Sequence, residues 1–105
     1  MLTVFCRTSF EGFHSWPAAP DQVSYLRARH RHVFHVRVDV PVMHGDRDVE
    51  FITLKHRVDE WIRTEAGASR SCEQWAEAIG KAFNAVAVEV SEDNENGATW
   101  RRSTE

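Results

Sequence analysis

Three histidines of this 105-residue chain, His14 and the pair in His30-Arg31-His32, stand at the ends of strand-like apolar stripes. Successive side chains of a β-strand point to opposite faces, so residues two apart share one face. From His30 onward the even positions read His30, His32, Phe34, Val36, Val38, Val40 and Val42, whereas the odd ones after Arg31 read Val33, His35, Arg37 and Asp39. One face is therefore continuously apolar and begins with two imidazoles. The N-terminal segment repeats the pattern, with Leu2, Val4, Cys6, Phe10 and His14 on one parity and an interruption at Gly12. Neutral imidazoles converging from fixed backbone suit Zn2+, and three of them without a fourth protein donor leave the open position of a catalytic site. Six histidines in a short chain also fall two apart by chance as solvated surface residues, and His35, His44 and His56 read that way.

These residues need a scaffold. A chain of this length makes one domain, 1–105, with a single core. Between two pairs of strands lie two amphipathic helices. The first places Leu54, Val58, Trp61 and Ile62 on one stripe and is closed by Gly67; the second follows Ser71, with Gln74 completing a capping-box signature, and places Cys72, Trp75, Ile79, Ala82 and Phe83 on another. Val86, Val88, Val90 and Glu92 then share one parity, so this strand also ends in a side chain able to do chemistry. Residues 93–97 form a turn, 98–102 a closing strand, and Ser103-Thr104-Glu105 a loose tail. The expectation is an α+β fold in the order strand, strand, helix, helix, strand, strand: an antiparallel four-stranded sheet with two helices on one face.

Composition narrows the function. A net charge of −3 argues against nucleic acid as a partner, and the local run of Arg27, Arg29, Arg31 and Arg37 reads as a solvated strand edge in preference to a small phosphate-binding patch. No apolar stretch approaches membrane-spanning length and Met1-Leu2-Thr3-Val4-Phe5 carries no secretory pattern, which predicts a cytoplasmic protein without membrane contact. Cys6 and Cys72 are far apart and in no CxxC spacing, and in a reducing compartment they read as two separate thiols in preference to a disulfide.

Five segments in order resemble the 6-pyruvoyl-tetrahydropterin synthase and 6-carboxy-tetrahydropterin synthase family. They are Phe10-Glu11-Gly12-Phe13-His14, His30-Arg31-His32-Val33-Phe34 (with Arg31 replacing a glycine), Val49 to Lys55, Ser71-Cys72-Glu73, and Val88-Glu89-Val90-Ser91-Glu92 with Gly97 and Trp100. The resemblance implies the tunnelling fold, assembled as a homo-oligomer (a trimer or a dimer of trimers). It implies zinc on His14, His30 and His32, and a reduced pterin or related heterocycle anchored by Glu92, with Ser71 beside the ring. A carboxylate can accept two parallel hydrogen bonds from the guanidine-like edge of such a ring.

Two departures bear on activity. The family's catalytic cysteine falls at Leu26, next to Tyr25, and its Asp-His pair has no counterpart in the 64–70 stretch. Three readings follow: a zinc-dependent lyase eliminating triphosphate from dihydroneopterin triphosphate with a new base, for which a zinc-bound hydroxide, His35 and Cys72 are candidates; a non-catalytic pterin- or purine-binding or regulatory module; or a scaffold with vestigial histidines, Arg31 crowding the site.

Overall fold

The computed structural model describes residues 1–65 and 67–103. Alternation of apolar and polar residues produces β1 (Thr3–His14) and β2 (His30–Pro41), joined by a connection that contains a short 3-10 segment (Asp21–Leu26). Helices α1 (Phe51–Thr64) and α2 (Cys72–Ala82) follow, then β3 (Ala87–Glu92) and β4 (Asn96–Arg101). The strands form one antiparallel sheet in the order β1-β2-β3-β4. This is the expected α+β arrangement.

The even residues of β2, Phe34, Val36, Val38 and Val40, are buried together with Cys6 of β1 and Val88 and Val90 of β3. Leu54, Val58 and Ile62 of α1 and Cys72, Trp75, Ala76 and Ile79 of α2 join them in one cluster, so both helices cover the same sheet face. On α2 the periodicity differs from the expected stripe. Ala76 and Gly80 are buried and Ala82 is exposed, because positions 72, 75, 76, 79 and 80 lie closest to one line on a 3.6-residue helix. Strand β4 begins at Asn96, so Gly97 is a strand residue rather than part of the turn. A Cβ there would lie 2.6 Å from the Cα of Ser91, which is why glycine occupies the position. Of the expected loose tail, Thr104 and Glu105 lie outside the described residues.

Helix ends follow their caps. Ser71 accepts from the Gln74 N–H at 3.2 Å while the Gln74 side chain accepts from the Ser71 N–H at 3.0 Å, the expected capping box. Glu50 caps α1 by accepting from the N–H groups of Ile52 (2.7 Å) and Thr53 (3.1 Å). The Ile52 bond is the main cause that holds the Glu50 carboxyl below its ordinary range. A carboxyl depressed in the folded state contributes stability above its unfolded pKa, roughly 4.3, and loses it as pH falls through the lower folded value. The melting temperatures of wild type and Glu50→Ala should therefore differ at neutral pH and converge as pH falls through that lower value; a gap independent of pH would contradict this role.

Among the described residues, no helix is long and apolar enough to cross a membrane.

Candidate metal centre and cleft

Antiparallel register brings the histidines together. His14 lies opposite His30, Gly12 opposite His32 and Phe10 opposite Phe34. The glycine that breaks the parity of β1 has a steric purpose: a Cβ at Gly12 would lie 2.7 Å from the Phe34 ring. Phe34 can thus sit beneath the imidazoles, its centroid 5.7 Å from that of His14 and 6.2 Å from that of His32. The three imidazole centroids are 4.4, 4.9 and 5.1 Å apart. One ligand atom from each ring lies within 4.8 Å of the others, which positions His14, His30 and His32 to bind a metal ion.

Each ring is held through Nδ1. His14 donates to the carbonyl of Arg70 at 3.1 Å, His30 to the carbonyl of Ala28 at 2.8 Å, and His32 to Oδ2 of Asp93 at 2.7 Å. A carbonyl only accepts, so the proton sits on Nδ1 and the lone pair of the neutral ring is on Nε2. The Nε2 atoms of His30 and His32 are buried without a hydrogen-bond partner. Rings oriented by carbonyl or carboxylate acceptors, with bare nitrogens facing a common point, are what a metal ion requires. The donor set fits.

Asp93 reaches His32 through the backbone of the β3–β4 turn. Asp93 and Asn94 both have positive φ (52° and 61°), and the Glu95 N–H closes the turn on the Glu92 carbonyl at 3.0 Å. Asp and Asn tolerate that conformation better than most residues. The turn folds back on β2: the Asp93 N–H donates to the Val33 carbonyl at 2.7 Å, and the Val33 N–H donates to Asp93 Oδ1 at 3.0 Å. The His32 bond first, and then the Val33 N–H, keep the Asp93 carboxyl below its usual range. Asp93→Ala should weaken metal binding by about 10–100-fold with all three ligands still present. Competition with a chromophoric chelator measures this, and unchanged affinity would show that the contact does not orient His32.

Glu92 is the next residue on the same sheet face, opposite Phe34. Its Oε1 is 3.4 Å from His14 Nε2 and its Oε2 is 3.5 Å from His32 Nε2. Beside it opens a cleft of roughly 750 Å³ lined by His14, His30, Glu92, Ser71, Cys72, Trp16, Leu26 and Arg70 among others. That size suits a small molecule. The connection between β1 and β2 forms one wall, pinned by the Trp16 N–H on the Leu26 carbonyl at 2.8 Å and by Arg27, which donates to the Ala19 carbonyl at 2.8 Å. Arg70 lies over the Trp75 ring at 4.6 Å and pairs with Glu65 at 2.7 Å.

Ser71 lines the cleft as expected, and its oxygen also serves the α2 cap. The candidate bases fare differently. His35 is an odd residue of β2, paired with Ser9 and Ser91, so alternation puts it on the opposite sheet face from the three histidines. Cys72 borders the cleft, but burial, followed by the charges of Glu92 and Glu73, pushes its thiol up to about 12. The lowered value that a helix N-terminus alone would favour is thereby overridden. Leu26 places an apolar wall where the resemblance would put a cysteine. Arg31, the residue expected to crowd the site, belongs to the other face, where it pairs with Glu11 at 3.1 Å. The orienting groups Asp93, Ala28 and Arg70 were not apparent from sequence, because two act through backbone carbonyls and the third lies in an ordinary turn pattern.

No protein-family model and no curated protein matches the chain.

Proposed function

We propose that the chain is a zinc-binding, pterin-synthase-like protein whose cleft holds a reduced pterin such as dihydroneopterin triphosphate. The observation that carries this reading is the convergence of bare, oriented imidazole nitrogens with the Glu92 carboxylate on the wall of one cleft. Together these offer a Lewis-acid site for a ligand oxygen and an acceptor for a ring edge bearing adjacent N–H groups. When bound, zinc supplies polarisation of that oxygen. The chain's own residues supply the rest: Glu92 accepts from the heterocycle, Ser71 contributes its hydroxyl, and Trp16 and Leu26 give the cleft an apolar wall.

Binding without turnover is the form of this function that the cleft supports best. His35 is on the opposite face, and burial pushes the Cys72 thiol up, away from the thiolate that a base would need. A zinc-dependent lyase that eliminates triphosphate is the second reading, favoured by His14, His30 and Glu92 lining one cleft. The sheet leaves β1 and β4 each paired on one side, and we propose that these edges meet in a homo-oligomeric ring.

The test is to incubate zinc-loaded protein with dihydroneopterin triphosphate and follow substrate and retained ligand by mass spectrometry. Retention of intact ligand supports the binding module. Loss of triphosphate that disappears in His32→Ala would establish the lyase instead, and the absence of both retention and loss would contradict the pterin reading.

A further inference from the structure

We infer that Glu92 is a fourth ligand of the metal ion, so that the resting centre is a closed set of three imidazoles and one carboxylate rather than a site with an open position. This rests on the metal reading of the three histidines, and not on the identity of the heterocycle.

The argument begins with protons. The Nδ1 atoms of His14 and His30 face carbonyl oxygens and that of His32 faces the Asp93 carboxylate, so each carries its hydrogen there. Neutral rings then turn Nε2 lone pairs toward the carboxylate oxygens of Glu92, with no hydrogen between them. Lone pair against carboxylate is repulsive, and the pairs stand at 3.4 and 3.5 Å. Charge-assisted N–H···O contacts are shorter, about 2.7–2.9 Å.

A cation among these atoms removes the conflict. Two ligands of one tetrahedral ion with bonds of roughly 2.0–2.1 Å are about 3.4 Å apart. The separations of Glu92 from His14 and His32 are those of neighbouring ligands. The carboxylate turns a different oxygen toward each imidazole and so spans His14 and His32.

The closed set has two consequences. The ion joins three strands, since His14 is on β1, His30 and His32 on β2, and Glu92 at the end of β3. It also makes Glu92 a gate: a ligand that coordinates the metal must first displace the carboxylate, which becomes free to accept from that ligand's donor edge.

Cobalt(II) titration of the metal-free protein reads the coordination directly, because four-coordinate cobalt absorbs far more strongly than higher-coordinate forms. Wild type should bind one cobalt per chain and keep its spectrum when thiocyanate is added. In Glu92→Ala, thiocyanate should enter the vacated position and shift the spectrum. Affinity should fall by at least the roughly 10–100-fold that outer partners of metal ligands cost. Glu92→Gln, which keeps the side-chain shape, should show the same loss of affinity and covers the case in which the alanine variant fails to fold. If thiocyanate shifts the wild-type spectrum as it does that of Glu92→Ala, or if neither substitution changes affinity, Glu92 is not a ligand and the three-histidine reading stands. If wild type binds no more cobalt than His30→Ala, the metal reading itself fails.

Discussion

His30→Ala should bind a divalent metal more than roughly 100-fold more weakly than wild type, a larger loss than removal of an orienting group produces. His30 sits at the start of β2 opposite His14, and its ring is aimed by the Ala28 carbonyl two residues earlier, within its own connection. The substitution removes a ligand without touching the buried valines of the strand. Folding and metal binding should therefore separate. Without metal, the two proteins should melt at similar temperatures. With zinc at 100 times its dissociation constant, wild type should gain about 2.7 kcal/mol by linkage, a gain that His30→Ala lacks. Equal zinc-dependent shifts in the two proteins would remove His30 from the ligand set.

The second large effect belongs to the floor of the site. Phe34 is fully buried, stacks on Phe10 at 5.2 Å, and lies beneath His14 and His32. Phe34→Ala should cost about 3–5 kcal/mol of stability through lost burial and the cavity left behind. It should also weaken metal binding although every ligand remains, because the rings lose the surface that limits their tilt. Urea unfolding and a metal titration on the same variant test both halves. A stability loss with unchanged metal affinity would show that the Nδ1 contacts alone orient the rings.

These effects show which parts of the molecule were legible from sequence. Strand parity revealed both the apolar face of β2 and the common side of His30 and His32, because alternation is a property of the backbone and survives any tertiary arrangement. Ser71 with Gln74 announced the start of α2 for a similar local reason. The same alternation already set His35 and Arg31 on the opposite parity, and with Phe34 and Val36 buried both face away from the site, which removes the crowding expected from the size of Arg31. What stayed hidden depended on register. Glu92 was found as a functional side chain, but its approach to His14 and His32 follows from the pairing of Phe34 with Glu92 across β2 and β3. Nor could Asp93 be singled out, since its role depends on a positive-φ turn folding back on Val33. Burial decided the Cys72 thiol against the pull of the helix terminus.

The most direct measurement of the central claim is equilibrium binding of dihydroneopterin triphosphate to zinc-loaded protein and to protein stripped by a chelator. Binding that requires zinc and is weakened by Glu92→Gln is the predicted result. Equal binding with and without zinc, or no binding to the loaded protein, would contradict a cleft in which the histidine-bound metal and the carboxylate act on one ligand.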